Sequence, residues 1–109
     1  MKHTDIARLF SNASEYVNQT VTVCGWVKTS AEVKPMTFIQ LNDGTTTIRN
    51  LQLTIHQDKM SEEEYKSVIK PLLNFGVSLK ATGTLIPSER NVIELGVESV
   101  EMLGDCPAS

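Results

Sequence analysis

The stretch from Met36 to Ile55, MTFIQLNDGTTTIRNLQLTI, narrows the choice of folds more than any other. Phe38 and Gln40 alternate with Ile39 and Leu41, Asn42-Asp43-Gly44 turns the chain, and Leu51, Leu53 and Ile55 alternate with Gln52 and Thr54 on the return. Successive side chains on a strand point to opposite faces, so period-two patterning on both sides of an Asp-Gly turn predicts a β-hairpin. Ile39 and Leu41 set the buried face. Phe38 and Gln40 then fall on the outer face, and Gln52 joins them from the returning strand. An aromatic ring beside amides on an outer sheet face suits stacking on a nucleic-acid base and hydrogen-bonding to its edge.

The flanking segments supply the rest of a barrel. Thr20 to Thr29, TVTVCGWVKT, is rich in β-branched residues and predicts a first strand, with Gly25 marking a bend or bulge. Ser30 to Pro35 is expected to be a loop. Ahead of that strand, Ile6, Leu9 and Phe10 recur at helical spacing, which predicts a short helix from Asp5 to Ser11 with Thr4 as its cap. Ser11 to Gln19 is polar and turn-like. Ser61 followed by Glu64 has the form of a capping box, and Tyr65, Val68, Ile69 and Leu72 give the next helix one apolar face. Pro71 is expected to end or kink that helix near Lys70. Val77 to Ile86 predicts a fourth strand and Val92 to Leu103 a fifth, with Ile93, Leu95 and Val97 inward and Glu94 outward.

The order is helix, three strands, helix, two strands. A helix between the third and fourth of five strands predicts an all-β, five-stranded OB-fold Greek-key barrel. A sandwich needs about seven short strands, and a parallel α/β unit needs helices between most of its strands. With 109 residues, the chain is expected to form one domain. It divides into a helix and lead-in over 1–19, the barrel over 20–103, and the start of a linker over 104–109.

Composition restricts the function further. The net charge of −3 argues against non-specific nucleic-acid binding, which shows a basic footprint. The hairpin region from Val21 to Ile55 nevertheless carries +1, whereas the chain from Val77 onward carries −3. Cys24 and Cys106 form no metal motif or disulfide framework and read as reduced thiols of a cytoplasmic protein. His3 and His56 have no ligand-spaced neighbours, no phosphate-binding glycine loop is present, and no nucleophile–base pattern is visible. No run approaches membrane-spanning length. These residues predict binding rather than catalysis.

Three runs carry a family likeness: Val23-Cys24-Gly25-Trp26-Val27, then Phe38 to Gly44, then Asn50-Leu51-Gln52-Leu53. Together they resemble the N-terminal anticodon-binding domain of class IIb aminoacyl-tRNA synthetases, the aspartyl, asparaginyl and lysyl enzymes. The likeness runs from about Thr20 to Leu103 and is most like the asparaginyl enzymes. It implies that Phe38 stacks on the central anticodon uridine, that Gln52 hydrogen-bonds to it, and that Glu94 reads guanine or queuosine at the first position. Gln40 lies on the same face, and Lys28 or Lys34 is expected to supply charge. The family has an arginine-rich segment after Gly-Trp-Val; here Lys28 to Lys34 contains no arginine, and lysine lacks the planar bidentate fork.

The resemblance implies recognition of GUU or QUU in tRNA by part of an asparagine–tRNA ligase. ATP and Mg would be handled by a catalytic domain absent from this chain, with no cofactor bound here, and the parent would be a cytoplasmic homodimer. Such a parent would supply much of the tRNA backbone contact elsewhere, which accommodates an acidic reader domain. The alternatives are an aspartyl anticodon domain, a free-standing OB module for single-stranded nucleic acid, and a protein-interaction barrel.

Overall fold

The computed structural model describes residues 4–46 and 49–103. Its five strands are β1 (Thr20–Val33), β2 (Met36–Asn42), β3 (Leu51–His56), β4 (Ser78–Ser88) and β5 (Val92–Leu103). They close into a barrel in the order β1-β2-β3-β5-β4. Every pairing is antiparallel except β3 with β5. Helices α1 (Ile6–Ser11) and α2 (Ala13–Tyr16) precede β1, and a 3₁₀ turn over Gln57–Lys59 follows β3. Between β3 and β4, α3 starts at Glu62–Glu64, widens to a π-helical turn over Tyr65–Ile69 and tightens to a 3₁₀ turn over Lys70–Leu73. Pro71 has no N–H for the ladder, so regular α geometry is not available across it. Ser61 Oγ accepts the Glu64 N–H at 3.1 Å, as the capping pattern predicts.

Alternation builds the core. Ile39, Leu41, Leu51, Leu53 and Ile55 point inward and meet Val23, Val27, Leu79, Leu85, Ile93 and Leu95. Ile6 and Leu9 of α1 and Ile69 and Leu72 of the α3 region complete the same apolar cluster. Val97, expected inward, is only partly buried. The β4–β5 register shifts between Thr82 and Gly83, which changes the orientation of β5 beyond that point.

Other local expectations are corrected. Ser30 to Val33 is not loop: β1 runs on to Val33 and pairs with β2 from Val33↔Met36 upward, leaving only Lys34-Pro35 as the turn. Gly25 is not the bulge. The β1–β2 register shifts between Val27 and Thr29, at Lys28. Glycine is needed at 25 because a Cβ there would lie 2.5 Å from the Asn42 carbonyl oxygen. Gly83 has the same role, its virtual Cβ standing 2.1 Å from the Gly96 carbonyl oxygen.

The β2–β3 hairpin forms as expected, with Asn42-Asp43-Gly44 opening its connection from Asn42 to Leu51. Thr4 does not cap α1; its N-cap is Asp5, whose side chain makes no capping bond. β4 continues past Ile86, with Pro87 paired to Ile93 and Ser88 to Val92, so the turn shrinks to the residues between them. The expected linker at 104–109, together with Cys106, lies outside the described residues.

Candidate nucleic-acid interface

Register places the predicted outer-face residues in two adjacent rows. One row pairs Ala31 with Phe38, Phe38 with Thr54, and Thr54 with Gly96. The next pairs Thr29 with Gln40, Gln40 with Gln52, and Gln52 with Glu94. The parallel β3–β5 contact sets Glu94 directly beside Gln52, although the two are 42 residues apart. Phe38 is half-buried, whereas its neighbours Thr37 and Ile39 are fully buried on the inner face.

The second row is joined by hydrogen bonds. Gln40 Nε2 donates to Gln52 Oε1 at 2.8 Å, and Gln52 Nε2 donates to Glu94 Oε2 at 3.0 Å. Asn91 Nδ2 approaches the same Glu94 oxygen at 3.5 Å. Among the described residues no hydrogen bond occupies Glu94 Oε1. These contacts orient the amides and carboxylate before any ligand arrives, which lowers the entropic cost of binding one. A carboxylate is acceptor-only and matches the paired N–H donors on a guanine Watson–Crick edge, while an amide presents both a donor and an acceptor.

Lys28 lies at the β1 bulge, with its Nζ 5.7 Å from the centre of the Phe75 ring. Phe75, which the sequence reading passed over, is 75% exposed in the turn after the α3 region. Trp26 is rim packing, its ring lying against the open side of Gly44. Phe10 was expected only on the apolar face of its helix and Arg49 only in the turn, and the structure brings the two together. The Arg49 guanidinium stands 5.5 Å from the Phe10 ring centre, and only the closed barrel brings the two segments together. No periodic signal in either segment announces that pair.

Among the described residues no three His, Cys, Asp or Glu side chains are grouped to hold a metal ion. No helix there is long and apolar enough to cross a membrane.

Comparison with known proteins agrees with this geometry. The family model for OB-fold nucleic-acid-binding domains of the tRNA anticodon type matches residues 21–103. The asparagine–tRNA ligase of Microcystis aeruginosa is 36% identical over 92 residues, 83% of this chain and 19% of the relative. That of Cytophaga hutchinsonii is 33% identical over 106 residues, 95% of this chain and 22% of the relative. The chain thus spans about a fifth of the length of these curated relatives. In fold, asparaginyl-tRNA synthetase from Pyrococcus horikoshii, solved with asparaginyl-adenylate, superposes with a TM-score of 0.78 at 21% identity, covering 94% of this chain and 22% of that one. An OBody bound to hen egg-white lysozyme superposes at 0.74 with 14% identity, covering 96% of this chain and 97% of that one. The chain belongs to the tRNA anticodon family of OB-fold nucleic-acid-binding domains and is homologous to the corresponding domain of asparagine–tRNA ligases.

Proposed function

We propose that this domain reads the anticodon loop of tRNA-Asn, GUU or its queuosine form, as the N-terminal domain of an asparagine–tRNA ligase. The observation that carries the reading is the joined row Gln40–Gln52–Glu94 lying beside Phe38 on one outer face. Phe38 supplies the stacking surface for the central uridine, Gln52 its edge contact, and Glu94 the acceptor for the first-position guanine. Gln40 holds Gln52 in place, and Lys28 adds positive charge beside β2. In this arrangement residues 20–103 are the reader, 1–19 its lead-in and 104–109 the start of the connection to a catalytic domain. ATP, Mg and the dimer contacts belong to that remainder of a cytoplasmic enzyme.

Titration of an anticodon stem-loop against Phe38→Ala tests the reading. An aromatic stack on a base is worth roughly 1–3 kcal/mol, so affinity is expected to fall about fivefold to a hundredfold or more. Unchanged affinity would remove Phe38 from the interface.

A further inference from the structure

A cleft of about 240 Å³ opens at the end of the Gln40–Gln52–Glu94 row, lined by Phe10, Gln40, Arg49, Asn50, Arg90 and Asn91. Three separate segments build it: the end of α1, the connection after β2, and the β4–β5 turn. Phe10 underlies Arg49, with 5.5 Å between the guanidinium carbon and the ring centre, so part of the side chain's freedom is already restricted. Asn50 Oδ1 accepts from Asn42 Nδ2 at 2.9 Å, which anchors the neighbouring position.

Across the cleft, Val92 has a φ of +67° and the Ile93 N–H bonds back to Asn91 O at 2.7 Å. This tight three-residue turn sets Arg90 and Asn91 at the cleft wall. Both arginines are exposed, and neither has a carboxylate partner among the described residues, where the ion pairs join Lys70 to Glu32 and Lys80 to Glu101. An arginine side chain stays protonated at any physiological pH. Two permanent cations therefore share one small cleft in a chain whose net charge is −3.

We propose that this cleft holds a backbone phosphodiester of the RNA strand crossing the row, with Arg49 and Arg90 as the paired donors. The assignment rests on the anticodon reading above and extends it from base contacts to a specific backbone contact. The guanidinium fork matches two phosphate oxygens at once, which a lysine ammonium does not. Base-edge readout is provided for next door by Gln52 and Glu94. Phosphate contacts fix register without carrying sequence information, which is the part the row itself lacks. A carboxylate on the adjoining row also makes a nearby cation necessary, because Glu94 alone would repel the strand it reads.

The test uses the 109-residue chain and an anticodon stem-loop of tRNA-Asn sequence, in native form and with single methylphosphonates replacing one loop phosphate at a time. Affinities are measured between about 50 and 200 mM salt for wild type, Arg49→Ala, Arg90→Ala, Arg49→Lys and Phe38→Ala. Each alanine variant is expected to bind about five- to tenfold more weakly and to lower the salt slope by roughly 0.7–1. One methylphosphonate position is expected to weaken wild type and leave Arg49→Ala unaffected. Arg49→Lys is expected to restore the slope but only part of the affinity. If the arginine variants match wild type in affinity, slope and methylphosphonate profile while Phe38→Ala binds weakly, the cleft assignment is wrong and the anticodon reading stands. If Phe38→Ala also matches wild type, the reading beneath the assignment is wrong.

Discussion

Thr37 and Thr54 are both buried in the barrel wall, on opposite faces of paired strands. Thr37 Oγ1 accepts from Gln57 Nε2 at 2.8 Å and lies 2.6 Å from Tyr65 Oη. Thr54 Oγ1 is buried with no hydrogen-bond partner among the described residues. A hydroxyl removed from water without a partner costs about 1–3 kcal/mol. Thr54→Val keeps the side-chain shape and removes the orphan. It is expected to raise the denaturation midpoint by the equivalent of about 1 kcal/mol at an unchanged denaturant slope. A lower midpoint would show that the hydroxyl is satisfied. The two threonines look alike in sequence, because strand parity assigns a face but not a hydrogen-bond partner. Phe38 is the opposite case: alternation with Ile39 and Leu41 was enough to place it outside.

At the scale of elements, the connection after β2 does more than reverse the chain. Asp43 Oδ2 accepts the Ile6 N–H at 2.8 Å, and Thr45 Oγ1 accepts the Ala7 N–H at 3.0 Å. Asp43 Oδ1 meanwhile accepts from the Thr45 N–H at 3.0 Å, so one side chain ties the loop to the helix. A helix of six residues is not stable alone in water, and its first N–H groups need partners. Asp43→Ala is expected to cost about 1–2 kcal/mol, with amide exchange accelerating in α1 before the strands. Equal acceleration throughout the barrel would instead assign Asp43 to global stability.

The sequence signals its turn chemistry, since Asp and Gly follow an alternating strand. It cannot show that the cap acts on a helix nearly forty positions away, and it pointed to Thr4 instead. Local propensity also stopped β1 at Thr29, because Ser30 to Lys34 is polar. Pairing with β2 satisfies the backbone there and overrides that preference.

For the molecule as a whole, one polar chain stitches the lower barrel to the α3 region. Gln57 donates to Thr37, Tyr65 Oη donates to Glu32 Oε2 at 2.7 Å, and Lys70 Nζ meets Glu32 at 2.9 Å. The Lys70 contact, and then the Tyr65 hydrogen bond, hold the Glu32 carboxyl below its ordinary 4.5. Burial pushes the Tyr65 phenol above its ordinary 10.0.

The signs follow by linkage. A depressed acid stabilises the fold above its unfolded value, and that contribution is lost as pH falls below 4.5 through the lowered folded value. A raised phenol contributes fully below 10.0, and its contribution is lost as pH rises through the raised folded value. Unfolding free energies measured across pH are expected to show a shallower acid limb in Glu32→Gln and a shallower alkaline limb in Tyr65→Phe. Limbs as steep as those of wild type would mean that other groups set the window.

Strand alternation, the faces of the central strands, the helix between β3 and β4 and the barrel class can all be read from the chain, because each depends on local period and capping. The same alternation puts Phe38, Gln40, Gln52 and Glu94 on outer faces. Folding is what brings Glu94 to Gln52, sets Asp43 as the cap of α1, and gathers Arg49, Phe10 and Arg90 in one cleft. The first depends on a parallel strand pairing and the others on barrel closure, and neither leaves a periodic trace in the chain.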